Sequence, residues 1–318
     1  MDQPTSWCHL PMEMMAEVIK HLDFASRMKL RATARLEKEL VESRKMAVES
    51  LSVDASYRDG PLVFVVSPHE PSGPLYEGFN GSIGKVIALT SSLIKFGKVN
   101  TFQIHANHHN RHFLDDTVSF LEKITNREDF RFPIININHF NDHDFHSLIE
   151  LVTPGTEILH LHKPPELGFK RVFRDYETVP VMLGASVIVL SDYNLESNSQ
   201  SNVIVEAWLR YDQAVGKKVA IWLGWYNDED KWVYERDVRA DEAKIVSNFK
   251  NHFAGRVVEE KEKSIRIRMN DSKHILMRIL EEEEDNKDIL VTASWQVIPA
   301  DMVEEQYDKK SGWVYVEC

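Results

Sequence analysis

The sequence predicts an α/β protein in two parts: a three-helix module over residues 1–45, then a β/α domain over 46–318 with a mostly parallel, curved sheet. Three observations carry this expectation. Apolar residues before position 45 recur at helical spacing. Beyond it come short alternating apolar runs bounded by turn residues. From about residue 100 onward these runs alternate with amphipathic helical stripes, the pattern of parallel strands joined by helical crossovers.

In the first part, Pro11 suits the opening turn of a helix because it lacks the N–H that would be orphaned there. Glu13 places a negative charge at the positive end of that helix. Met14, Met15, Val18, Ile19 and Leu22 follow at i, i+1, i+4, i+5 and i+8, one broad apolar stripe that needs burial. Asp23 is a candidate cap for a second helix carrying Phe24, Met28, Leu30 and Ala32. Thr33 can cap a third, with Leu36, Leu40 and Val41. So short a module cannot bury all these side chains by itself, so it must dock on a partner or on the rest of the chain.

Leu51 to Val53 and Leu62 to Val66 read as strands on either side of a turn at Asp59-Gly60-Pro61. The stretch 67–81, rich in Pro and Gly, reads as a loop, and 83–96 as a helix. Further strands centre on Phe102-x-Ile104, Ile135-x-Ile137, Leu159-x-Leu161, Val187 to Leu190, Val219 to Leu223, Ile265-x-Ile267 and Leu290-Val291. Between them lie helical stripes such as Leu114, Val118, Leu121 and Ile124, or Ile204, Ala207, Trp208 and Tyr211. One unit, Val99-x-x-Phe102-x-Ile104-x-x-Asn107, is similar to the leucine-rich-repeat consensus; its neighbours depart from it, with Pro164 after Leu159-x-Leu161 and Phe140 after Ile135-x-Ile137, so an irregular leucine-rich-repeat-like domain is expected. A doubly wound sheet is the structural alternative. The chain has neither a Gly-x-Gly-x-x-Gly turn nor a Gly-Lys-Ser or Gly-Lys-Thr loop, so a phosphate-cradling role is not expected. A Gly-x-Ser-x-Gly elbow is also missing.

Composition bounds the function. The 318 residues are 43% hydrophobic and 28% charged, normal for a folded soluble chain, and the formal net charge is −12. Nucleic acid and anionic membranes reward clustered Lys and Arg, so neither is an expected partner. The only cysteines, Cys8 and Cys318, offer no disulfide framework and no zinc-ligand spacing. Together with the lack of an apolar leader, this leads us to expect a cytoplasmic and/or nuclear protein with no cofactor.

The pattern Leu10-Pro11-x-Glu13, Val18-Ile19-x-x-Leu22-Asp23, Arg27-x-x-Leu30-Arg31, with Thr33 and Arg35, resembles an F-box over about 40 of the 318 residues. An F-box followed by this kind of domain is similar to the large nematode group whose C-terminal region is the FTH domain. That second likeness rests on runs such as FRFPIININHFNDHDFHSLIELVTPGTEILHL. The resemblance implies a non-catalytic substrate receptor of a Skp1-cullin-F-box (SCF) ubiquitin ligase. The F-box would hold a Skp1-type adaptor, and through it the cullin, by Leu10, Pro11, Met14, Val18, Ile19, Leu22, Met28 and Leu30. The second domain would choose the protein target. The competing reading is a free-standing leucine-rich-repeat-like interaction module whose first helices are a terminal cap.

Three groups could carry chemistry or contacts. His105, His108, His109 and His112, with Asp115 and Asp116, are suitable zinc ligands by type but not by spacing, and no metal site is expected there. His139, His143 and His146, with Asp142 and Asp144, sit where a helix starts; His160 and His162 alternate onto one face of a strand and are expected to line a surface. Trp208, Tyr211 and Trp222 are expected mainly as core. Trp225, Tyr226 and Trp232, in the turn-rich GWYNDEDKW, are the candidates for substrate contact. The acidic run Glu281 to Asp285 reads as the end of a helix.

Overall fold

The computed structural model describes residues 7, 10–22, 24–33, 35–54, 62–70, 73–80, 83–105, 132–138, 155–162, 184–191, 200–227, 238–283 and 288–307. Three helices open the chain: α1 (Met12–Lys20), α2 (Phe24–Arg31) and α3 (Arg35–Ser43). Pro11 stands at the N-cap of α1 with φ −55° and ψ 148°, and no side chain caps the helix. Asp23, the expected cap of α2, lies outside the described residues. The Thr33 hydroxyl turns back to donate to the Leu30 carbonyl (2.7 Å), closing the end of α2 instead of capping α3.

The rest of the chain builds on one sheet of twelve strands among the described residues. They are β1 (Met46–Asp54), β2 (Leu62–Glu70), β3 (Gly73–Asn80), β4 (Gly97–His105), β5 (Ile134–Asn138), β6 (Ile158–His162), β7 (Val187–Ser191), β8 (Lys218–Asn227), β9 (Val257–Lys261), β10 (Ser264–Arg268), β11 (Lys273–Glu283) and β12 (Asp288–Pro299). The helices α4 (Ile83–Phe96), α5 (Gln200–Tyr211) and α6 (Val238–His252) and two 3-10 turns, Ala254–Arg256 and Glu304–Gln306, complete the described elements. The strand order is β3-β2-β1-β4-β5-β6-β7-β8-β12-β11-β10-β9.

The middle of this sheet is parallel: β1 pairs β4, and β4 to β8 pair in succession. Their order runs one way without the reversal that defines a doubly wound sheet. Both ends are antiparallel. At one end β1, β2 and β3 form a meander; at the other β12 pairs β8, and β11, β10 and β9 follow. The expectation of one parallel series as far as Val291 is therefore corrected. Ile265, Ile267, Leu290 and Val291 belong to antiparallel hairpins, whose alternating apolar residues look the same in sequence as those of parallel strands.

Two other corrections have local causes. The Pro- and Gly-rich stretch expected as a loop holds the end of β2 and all of β3. Pro68 falls where the register shifts between Ser67 and Glu70, and Pro74 lies on the edge strand, both places where a missing N–H is tolerated. Glu281 to Glu283 end a strand, not a helix, because β11 is paired along its length with β12.

Strand register arranges the core in ladders. Leu51, Phe102, Ile135, Leu159, Ile188 and Val219 lie side by side across six strands, and Val53, Ile104, Ile137, Leu161, Leu190 and Ile221 form a second row. All twelve belong to the main buried cluster. Ile204, Ala207 and Trp208 of α5 and Ile245 and Phe249 of α6 join it. Two glycines are fixed by close approach. A Cβ at Gly97, where α4 runs directly into β4, would stand 2.4 Å from the Leu93 carbonyl oxygen. Gly224 sits at the β8 bulge with φ +150°, where a Cβ would meet Val238 at 2.8 Å.

Candidate functional sites: a helical surface and a polar sheet face

The first site is the helical module. Arg27 holds it together from α2. Its Nε donates to the Leu22 carbonyl (3.1 Å), one Nη to Lys20 (3.0 Å) and the other to Arg44 (3.3 Å), so one buried guanidinium closes the end of α1 and the end of α3. Arg31 and Glu42 pair between α2 and α3 at 2.8 Å. Trp7 Nε1 donates to Glu37 of α3 (3.2 Å). Beneath these bonds Met15, Ala16 and Ile19 of α1 and Val41 of α3 are buried, outside the main sheet core.

The apolar stripe of α1 is divided. Met15 and Ile19 face inward, whereas Met14 is 54% and Val18 41% exposed, with Met12 and Leu36 also open to solvent. Pro11 is exposed, and Leu10, Leu22 and Leu30 are half-buried. Ile19 is fully buried, and Met28 packs against the core of the sheet domain. Among the residues expected to hold an adaptor, Met14, Val18 and Pro11 thus present surface, while Ile19 is buried and Met28 packs on the sheet domain.

The second site lies on the face of the parallel strands opposite the apolar ladders. Register lines up Ser52, Gln103, Asn136 and His160 in one row. Asp54, His105, Asn138, His162 and Ser191 form the next, and each of these five is the last residue of its strand. Parallel strands covered on both faces are usually apolar throughout. Here the sequences IININ and ILHLH interleave amide and imidazole groups instead.

These groups are tied to one another. Asn138 Nδ2 is 2.8 Å from His105 Nδ1, and His105 Nε2 is 3.3 Å from Gln103 Oε1. The Ser191 Oγ lies 3.0 Å from His160 Nε2 and 2.5 Å from His162 Nδ1. A hydroxyl with one proton can donate to one ring and accept from the other, so the trio is self-consistent with neutral imidazoles. Burial, helped by the nearby His162 ring, pushes His160 down to about 4. Asn136 and Asn138, only 2% and 5% exposed, each keep a side-chain oxygen with no partner among the described residues. Such an atom costs about 1–3 kcal/mol.

Other expected residues fall elsewhere. Trp225 and Tyr226 are not in a turn: β8 runs on through them, paired with Leu290 and Ile289 of β12. Trp232 lies outside the described residues, as do His108, His109, His112, Asp115, Asp116, His139, Asp142, His143, Asp144, His146 and the helical stripe 114–124. Trp208 is core, and Tyr211 is exposed. His160 and His162 do share one face, as alternation predicts. The partners that complete their cluster, Gln103, Asn136, Asn138 and Ser191, were missed; their signal is the polar interleaving of otherwise apolar parallel strands. Among the described residues no group of His, Cys, Asp or Glu is arranged to hold a metal, and no helix is long and apolar enough to cross a membrane.

Neither a family model nor a curated protein nor a solved structure matches this chain.

Proposed function

We propose that this chain is a substrate-receptor subunit of an SCF-type ubiquitin ligase, with the helical module as its F-box and the sheet domain as its target-recognition part. In this reading α1 to α3 dock a Skp1-type adaptor and through it a cullin, and the protein itself performs no chemistry. The observation that carries it is the divided stripe of α1. A half-buried stripe fixes the helix on its own module and leaves Met14 and Val18 free for a second protein. Burying an apolar side chain of this size is worth about 1.5–3 kcal/mol, enough to make these residues anchors.

The one-way order of the parallel strands supports an irregular leucine-rich-repeat-like domain. Right-handed crossovers that always step in the same direction bring their helices to one side of the sheet. The contact of Met28 with the sheet core favours a second reading, in which the helices are simply the cap of a free-standing interaction module.

Replacing Met14 and Val18 together by Asp separates the two. In the receptor reading the double variant loses capture of a Skp1-type adaptor and keeps its melting temperature within a few degrees, since both side chains are exposed. Wild-type protein that fails to bind the adaptor, or a variant that unfolds, supports the cap.

A further inference from the structure

The polar rows on the back of β4 to β7 have a location, a bonding deficit and a charge character that together specify a ligand. His105, Asn138, His162 and Ser191 are the last residues of four successive strands, in register side by side. The cluster satisfies most of itself, through the His105 pairings with Gln103 and Asn138 and the Ser191 pairings with His160 and His162. It does not satisfy the amide oxygens of Asn136 and Asn138. With Asn138 Nδ2 turned to His105 Nδ1, the atom left over is the carbonyl oxygen, an acceptor. Buried acceptors of this kind are retained at a cost, and what they lack is a hydrogen-bond donor.

We propose that this carboxyl edge binds a small, uncharged, hydroxyl-rich ligand whose O–H groups donate to Asn136 and Asn138. The rows contain no Lys or Arg, Asp54 closes one end of them, and the chain carries a net charge of −12. A phosphate or carboxylate would find no counter-charge among these residues. Amide, imidazole and serine hydroxyl groups each both donate and accept, as does a sugar hydroxyl. A free sugar and the ribose of a nucleoside present this same chemistry. The site is separate from the helical module and does not depend on adaptor docking.

The test is the thermal melt of the full chain against a panel of neutral sugars, including ribose and N-acetylglucosamine, and nucleosides, including adenosine, with adenosine monophosphate as the charged control. The expected result is a saturable rise of several degrees with a neutral member of the panel, and its identity distinguishes free sugar from nucleoside. Asn136→Leu should melt at or above the wild type, and both Asn136→Leu and Asn138→Leu should bind that ligand at least tenfold more weakly. The proposal is overturned if no neutral probe shifts the melt, if the phosphorylated control binds as well, or if either leucine variant binds normally. An Asn136→Leu variant that melts below the wild type would overturn it too, because that amide would then be structural.

Discussion

Two polar clusters lie on the same face of this sheet, and they have opposite characters. On β10, Arg266 is buried at 8% exposure, and each of its five N–H groups has an acceptor. Nε donates to His274 Nδ1 (2.7 Å), one Nη to the Met302 carbonyl (2.8 Å) and the Tyr307 hydroxyl (3.0 Å), and the other to the carbonyls of Pro299 (3.3 Å) and Ala300 (2.5 Å). Leu276, Ile298 and Tyr307 pack beside it as a small separate core. Across the sheet, Asn136 and Asn138 are equally hidden and incompletely bonded. The lesson is that burial alone does not distinguish structure from function. A saturated network is an anchor, here fastening residues 299–307 to the antiparallel end, whereas an unsaturated one leaves bonding capacity unused.

The sharpest way to break this contrast is Arg266→Met. Removing the guanidinium strands several acceptors at once, and we expect a loss of about 3–5 kcal/mol in denaturant unfolding. A loss below about 1 kcal/mol would mean that the network is ornamental.

Acid tests both clusters together. His160 is held down to about 4 by burial and the neighbouring ring, and His274 is lowered by burial and by the charges of Arg266 and Arg268. Both groups take up a proton more readily in the unfolded chain. Stability is therefore full above the unfolded value near 6.5 and declines as pH falls toward the folded values. For His160 the decline between about pH 6.5 and 4 should be on the order of 3 kcal/mol. His160→Gln should flatten that part of a stability-versus-pH curve; a curve unchanged by it would refute the assignment.

The smallest expected effect has the opposite sign. Asn136→Leu removes an unpaired buried acceptor and should be neutral or stabilising by up to about 1 kcal/mol, measured by the same unfolding curves.

Much of the frame was legible in the sequence. The helix expected over 83–96 is α4, and the apolar pairs at Phe102, Ile135, Leu159, Val187 and Val219 all fall in strands, because short apolar alternation bounded by breakers has few other solutions. β11 was not legible: HILMRIL is apolar on both faces, and only its pairing with β10 and β12 decides for strand. At α1 the stripe was readable, but which half faces inward depends on where α3 lies. For the polar face, alternation placed His160 with His162. That Gln103, Asn136 and Ser191 stand beside them is set by strand order and register, which no local window of sequence contains.

Strand order also dictates a timetable. Strands β5 to β8 each pair with the strand made just before them, so that block can grow by one neighbour at a time as the chain emerges. The second block cannot join in this way. Its attachment is the seam between β8 and β12, where Asn227 meets Asp288 and Lys218 meets Gln296. Until synthesis passes Pro299, β8 is an open edge of a parallel sheet, and the loop that closes it spans the whole of α6, β9, β10 and β11. A nascent chain halted before that point carries an unpaired template for other strands. That makes the seam the place where a chaperone, or an aggregate, would first compete with the native fold.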